Sequence, residues 1–125
     1  MSKILIIEDD LQVREMLKEL LERNEYEVFT AENGNEGLAM VEKVKPDIIT
    51  LDVTMPEKDG FEVLKEIRGP DSQWIPVIML TAKDGVEELN LSHTLEADLY
   101  LTKPFKAFDL LKGIKALLSI KPFHV

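Results

Sequence analysis

The run Ile48-Ile49-Thr50-Leu51 is apolar at both phases of a strand apart from one threonine, and it stops at a carboxylate, Asp52. A strand with one solvated face alternates apolar and polar residues. A run without that alternation belongs to a strand covered on both faces, as in a parallel sheet. Beyond Asp52 the chain turns over Met55-Pro56 and reaches Asp59-Gly60 just before a helical pattern. Open parallel sheets keep their chemistry where the strands end, so Asp52 is read as a nucleophile for phosphate at the exit of a central strand.

The rest of the chain repeats this pattern. Lys3-Ile4-Leu5-Ile6-Ile7 is a first buried strand, ended by Glu8-Asp9-Asp10. Val13, Met16, Leu17, Leu20 and Leu21 then recur at helical spacing to about Arg23. Val28-Phe29-Thr30 is a short strand near an edge, and Asn33-Gly34 opens a second helix carrying Leu38, Val41 and Val44. That helix closes at Lys45-Pro46, with Gly37 as a mild weakness inside it. A third helix starts at about Asp59, turns Phe61, Leu64 and Ile67 inward, and breaks at Gly69-Pro70. Pro76 to Leu80 form a fourth strand that exits at Thr81-Ala82-Lys83-Asp84. The fourth helix is the least regular, with a capping box of Asp84 and Glu87, a poor helix former at Gly85, and loose spacing of Val86, Leu89 and Leu95. Leu99-Tyr100-Leu101 is a fifth strand ending at Thr102-Lys103-Pro104-Phe105. A last helix from about Ala107 carries Phe108, Leu111, Ile114, Leu117 and Leu118 and stops at Lys121-Pro122. Five strands alternating with five helices predict an α/β, doubly wound, five-stranded parallel sheet with right-handed crossovers and helices on both faces.

Composition narrows the function. A length of 125 residues suits one domain, expected over residues 1–119 with 120–125 as a tail or the start of a linker. No apolar run approaches the roughly 20 residues of a membrane span, and Met1-Ser2-Lys3-Ile4 leads into a strand rather than a signal peptide. With no cysteine there is neither a disulfide framework nor a thiolate metal site, and the expected location is cytoplasmic. A net charge of −9 argues against direct binding of nucleic acid, whose phosphates require a basic face, and suits a small cation instead.

In the strand order 2-1-3-4-5, known for folds of this class, strands one and three are neighbours and their exits flank the point where the winding reverses. Asp9 and Asp10 leave strand one, Asp52 strand three, Thr81 strand four and Lys103 strand five, all on one rim. Carboxylates crowded in this way are unfavourable unless a cation neutralises them. An oxygen-only donor set without Cys or His points to Mg²⁺ (or Mn²⁺). The Asp52 carboxylate could then form an aspartyl-phosphate, a transfer that depends on charge neutralisation and in-line positioning. Mg²⁺ would neutralise one phosphoryl oxygen, the Lys103 ammonium a second, and the Thr81 hydroxyl would hydrogen-bond a third. The small Ala82 lets the backbone approach the phosphoryl group.

Asp9-Asp10, Asp52-x-x-Met55-Pro56-x-x-Asp59-Gly60, Thr81-Ala82 and Tyr100-Leu101-Thr102-Lys103-Pro104-Phe105 resemble the signature of response-regulator receiver domains of two-component signalling, which have the flavodoxin-like fold. The resemblance extends from Lys3 to about Ser119. It implies that Asp52 accepts a phosphoryl group from a phosphohistidine on a sensor histidine kinase or phosphotransfer protein. It also implies that Asp10, Asp52 and the backbone carbonyl of Thr54 ligate Mg²⁺, that Asp9 acts through a metal-bound water, and that Lys103-Pro104 is a cis peptide. Tyr100 becomes the switch aromatic, moving inward as Thr81 moves toward the phosphate. The face from the fourth helix through the fifth strand to the last helix becomes the surface read by a downstream effector, a covalently linked output domain or a second copy of the chain. Glu96 and Leu99 depart from the pattern. The family usually has glycine at the first position, so the fourth helix is expected to end at a cost and to be the most mobile element. It usually has a polar residue at the second, so Leu99 makes a more apolar output face expected.

Taken singly, each residue has an ordinary reading. Asp9 or Asp10 can be a helix N-cap, Asp59 the cap of the third helix, Thr81 a strand end, Lys103 a solvated charge and Tyr100 a packed edge residue. Their convergence on one rim is what favours the phosphoacceptor, which is not a turnover enzyme and catalyses only its own phosphorylation and dephosphorylation. Two alternatives remain: a Mg²⁺-dependent phosphohydrolase of the haloacid dehalogenase type, and a pseudo-receiver that binds partners without phosphate.

Overall fold

The computed structural model of the chain describes residues 1–55, 58–69, 74–82 and 97–120. Strands β1 (Lys3–Ile7), β2 (Glu27–Ala31), β3 (Ile48–Asp52), β4 (Val77–Ala82) and β5 (Leu99–Lys103) pair in parallel in the order β2-β1-β3-β4-β5. Helices α1 (Leu11–Arg23), α2 (Gly34–Val44), α3 (Gly60–Ile67) and α4 (Ala107–Ser119) connect or follow them. The doubly wound order is the expected one. The helix expected between β4 and β5, including Glu96, lies outside the described residues, as does the stretch from Lys121 onward.

Strand parity explains why the apolar runs lack alternation. Successive side chains of a strand point to opposite faces. Leu5, Ile7, Ile49, Leu51, Val77 and Met79 form one core with Val63, Leu64 and Ile67 of α3, and Leu38 and Val41 of α2 pack against it. Ile4, Ile6, Ile48, Ile78 and Leu80 form a second core with Leu17 and Leu21 of α1 and with Leu110 and Ile114 of α4. The sheet is therefore buried from both sides, and each fully covered Leu or Ile contributes about 1.5–3 kcal/mol.

The helix starts follow the residues that can cap them. Asp10, Asn33 and Asp59 each accept a backbone N–H of the first turn, at 2.8 Å from Gln12, 2.8 Å from Glu36 and 3.0 Å from Glu62. Two expected inward residues differ. Met16 and Phe108 are exposed, because the buried stripes run through Leu17 and Leu21 in α1 and through Leu110 and Ile114 in α4. Positions two apart on a helix diverge by about 200°, so Phe108 points away once Leu110 is inside.

Gly37, a mild weakness of α2 by propensity, is also a contact point, since a Cβ there would stand 2.5 Å from Ile7 Cδ1 of β1. Leu99 packs against the core shared with α4, where a Cβ on Gly113 would lie 2.6 Å from Leu99 Cδ2. It thus fills the space under that helix instead of enlarging an apolar outer face. At the opposite end of the sheet from the carboxylates, Trp74 stacks on the Arg68 guanidinium at 3.6 Å. Asp98 accepts from Arg68 Nη2 at 3.0 Å, from Trp74 Nε1 at 3.3 Å and from the Val77 N–H at 2.9 Å. This tie holds the start of β5 beside β4.

Candidate functional site

β1 and β3 end alike: four buried residues, Ile4 to Ile7 and Ile48 to Leu51, are followed by a carboxylate. Their register pairs Ile4 with Ile48 and Ile7 with Leu51, so the next residues, Glu8 and Asp52, fall side by side at the rim. Both carboxylates share the parity of Ile4, Ile6, Ile48 and Thr50. Glu8 is still held in the sheet, its N–H donating to Ala31 O of β2 at 3.1 Å. Glu8 and Asp52 are buried, at 1% and 5% exposure.

β5 supplies the cation. Ala82 pairs with Lys103, which places the lysine two residues beyond the row of Leu80 and Leu101 and on the same face. Its side chain reaches across β4 to both carboxylates, with Nζ 3.0 Å from Glu8 Oε1 and 3.3 Å from Asp52 Oδ1. The Thr54 N–H also donates to Asp52 Oδ1, at 3.3 Å. The second Glu8 oxygen, Oε2, accepts the Asp10 N–H at 3.2 Å.

These contacts do not neutralise the site. Burial, followed by the charge of Glu8, pushes the Asp52 carboxyl from its ordinary value of 3.8 up to about 7, against the opposing pull of Lys103. For Lys103, burial favours the neutral amine. The hydrogen bond to Glu8 and the charges of Asp52 and Glu8 outweigh it and hold the ammonium above its usual range. One lysine facing two buried carboxylates leaves negative charge in excess.

Asp9 completes an acidic group. Donor oxygens of Glu8, Asp9 and Asp52 all lie within 4.8 Å of one another. Hard oxygen donors, excess negative charge and an exposed Asp9 at the mouth fit a small divalent cation, so the residues present suit Mg²⁺.

The membership of this group differs from the expected ligand set. Asp10, which the resemblance makes a ligand, spends Oδ1 on capping α1 through Gln12 N–H and Val13 N–H, and Glu8 takes its place beside Asp52. The reason is local: the residue immediately before a helix is the one able to cap it, while the residue that continues the strand stays at the rim. Reading the two five-residue runs in register would have picked out Glu8. Arg14 was also missed, since a basic residue in an amphipathic helix reads as solvated.

The other expected residues take these places. Thr81 is buried in β4 opposite Thr102, and Ala82 ends that strand. Tyr100 is half-buried against the core shared with α2 and α3. Thr54 is exposed just after β3, and Lys103-Pro104 is cis.

A family model described as response regulator receiver domain matches residues 4–115. The chain is 42% identical over 117 residues to the alkaline phosphatase synthesis transcriptional regulatory protein PhoP of Bacillus subtilis, covering 94% of this chain and 48% of that protein. It is 42% identical over 116 residues to response regulator MprA of Mycobacterium tuberculosis, covering 93% and 50% respectively. The chain thus spans about half the length of the curated relatives it matches. Among solved structures, chemotaxis protein CheY4 of Vibrio cholerae superposes with a TM-score of 0.86 at 35% identity, covering 94% of this chain and 98% of that one.

Proposed function

The chain belongs to the response regulator receiver domain family of two-component systems, and on that premise we propose that residues 1–119 form a receiver whose phosphoacceptor is Asp52. The observation that carries this reading is the position of Asp52: buried, beside Glu8 and Asp9, with the Lys103 ammonium 3.3 Å from Oδ1. Membership of a signalling family argues against the phosphohydrolase alternative. The full complement of Asp52, Lys103, Thr81 and the acidic group favours phosphorylation over a pseudo-receiver.

Glu8, Asp9 and Asp52, with the Thr54 backbone carbonyl, would hold Mg²⁺. When bound, Mg²⁺ supplies the positive charge that lets three carboxylates and a phosphoryl group share one rim. An Asp52 carboxylate oxygen attacks the phosphorus of a kinase phosphohistidine. A P–O bond forms as the P–N bond breaks, and the electron pair leaves with the imidazole nitrogen. Lys103 pairs with one phosphoryl oxygen, the Thr81 hydroxyl donates to another, and the Ala82 backbone N–H donates from the end of β4. Attack of water on the same phosphorus breaks the bond to the Asp52 oxygen, releases inorganic phosphate and returns the free carboxylate, and the domain's own residues catalyse both steps.

Thr81 and Tyr100 transmit the change. Thr81 turning toward the phosphoryl group opens space on the α2 and α3 side of the sheet, where Tyr100 already packs. The surface formed by β5 and α4 is then read by an effector, an output domain or a second copy. PhoP, a transcriptional regulatory protein by name, suggests transcription as one such output. Among the described residues no helix is long and apolar enough to cross a membrane.

Incubation with Mg²⁺ and acetyl phosphate, followed by intact mass, tests the reading. One added phosphoryl group is expected, absent in Asp52→Asn and absent without Mg²⁺. Labelling that persists in Asp52→Asn refutes the nucleophile.

A further inference from the structure

We infer that Arg14 is a positioning residue for the acidic group: its guanidinium fixes the turn that presents Asp9 to a bound divalent cation. This rests on the metal reading above and goes beyond it, since Arg14 touches neither the cation nor the phosphoryl group.

Arg14 lies three and seven residues before Leu17 and Leu21, on the buried stripe of α1. Its side chain is 11% exposed, so the guanidinium requires partners. It finds them in the backbone rather than in a carboxylate. Nη1 donates to Glu8 O at 2.9 Å and, more weakly, to Asp9 O at 3.5 Å. Glu32 Oε1, 3.8 Å from Nη2 and largely exposed, lies beyond hydrogen-bond range.

The two carbonyls belong to the two peptide groups that flank the Asp9 Cα. Fixing both planes fixes the backbone dihedrals of Asp9, and so the direction in which its carboxylate leaves the turn. The neighbours are held by other means: Glu8 by its N–H bond to Ala31 O, and Asp10 by its cap on α1. The Asp10 N–H bond to Glu8 Oε2 also steadies the second peptide. A cation drawing on Glu8 competes for that carboxylate. Arg14 then remains as the hold on a residue that is itself exposed. The positive charge behind the turn additionally offsets the repulsion among Glu8, Asp9 and Asp52.

Residues that orient metal ligands without touching the metal change affinity by about 10–100-fold when removed. Mg²⁺ binding is measured by isothermal titration calorimetry on the full chain, Arg14→Gln and Arg14→Lys, with circular dichroism confirming the fold. Arg14→Gln is expected to bind Mg²⁺ about tenfold more weakly, and Arg14→Lys, which keeps a charge and a donor, to recover part of the loss. In acetyl phosphate labelling, Arg14→Gln should need more Mg²⁺ for half-maximal rate and reach the same rate at saturation, a split that general destabilisation does not produce. A folded Arg14→Gln with unchanged Mg²⁺ affinity overturns the inference. If that variant does not fold, unchanged affinity in Arg14→Lys overturns it equally. Absence of Mg²⁺ binding in the unsubstituted chain brings down the metal reading as well, and so is distinguishable from failure of the Arg14 role alone.

Discussion

Lys103 Nζ lies 3.3 Å from Asp52 Oδ1 across 51 residues of sequence, and the same nitrogen is 3.0 Å from Glu8 Oε1. Lys103 is therefore a bridge between two buried carboxylates before any phosphate arrives. Lys103→Ala leaves those charges facing each other. At pH 8 without Mg²⁺ the variant should lose roughly 2 kcal/mol, the cost of breaking a buried pair reduced because Lys103 is part-exposed. Losing a charge-assisted bond worth about 1.5–3 kcal/mol to a phosphoryl oxygen should slow labelling by about ten- to a hundredfold. Urea denaturation and acetyl phosphate kinetics check the two effects separately.

Burial and the neighbouring Glu8 charge set the pH response of the metal-free protein. Asp52 titrates near 7 when folded and near 3.8 as a free side chain. The folded state thus binds the proton more tightly, so the stability contributed by Asp52 is full below 3.8 and is lost as pH rises through about 7. In EDTA the melting temperature should fall across that window. Asp52→Asn should flatten the fall and melt higher than the parent at pH 8. Added Mg²⁺ should restore the parent at pH 8 and leave Asp52→Asn nearly unchanged. An identical pH profile for parent and Asp52→Asn in EDTA would contradict the electrostatic account.

Much of this arrangement was legible because both strand phases carry apolar residues. Ile48 to Leu51 announced a doubly covered strand, and the caps Asn33 and Asp59 announced helix starts by their chemistry. Site membership was harder. In Glu8-Asp9-Asp10 the residue types are almost interchangeable, and only register with β3 separates the one beside Asp52 from the one that caps α1. Arg14 was illegible for a different reason: its partners are carbonyls, which every residue has. Gly37 and Gly60 depend on how close two elements come, a distance that one-dimensional periodicity does not contain.

Lys45 closes α2 in the left-handed region, at φ 55°. An L side chain there costs roughly 1–2 kcal/mol. Glycine avoids most of that but adds unfolded-state freedom of about 0.5–1 kcal/mol. Lys45→Gly should therefore stabilise the chain by about 0.5–1 kcal/mol. Phosphorylation should be unaffected, because Lys45 sits at the end of the sheet remote from Asp52. A urea midpoint below that of the parent would show that the side chain contributes more than its backbone conformation costs.

Gly60 and Gly37 separate two kinds of close approach. A Cβ on Gly60 would overlap the carbonyl oxygen of Asp52 and stand 2.7 Å from Val53 Cα, so it meets backbone on the strand that carries the nucleophile. The Gly60 N–H is already bound to Val53 O at 2.8 Å, which leaves the helix start little room to withdraw. A Cβ on Gly37 would meet side-chain atoms of Ile7, Cδ1 at 2.5 Å, Cγ1 at 2.8 Å and Cγ2 at 3.1 Å, which a rotamer change can move. Overpacking costs about 1–3 kcal/mol, and replacing a mid-helix glycine by alanine returns about 1 kcal/mol of helix propensity. Gly37→Ala should consequently stay within about 1 kcal/mol of the parent and label normally. Gly60→Ala should lose about 2–3 kcal/mol, and it should label slowly even at temperatures where it remains fully folded, since relief of the clash moves the Asp52 backbone. Equal stability loss in the two variants, or normal labelling in folded Gly60→Ala, would show that the β3 exit tolerates displacement and that Asp52 is not held to the position its register gives it.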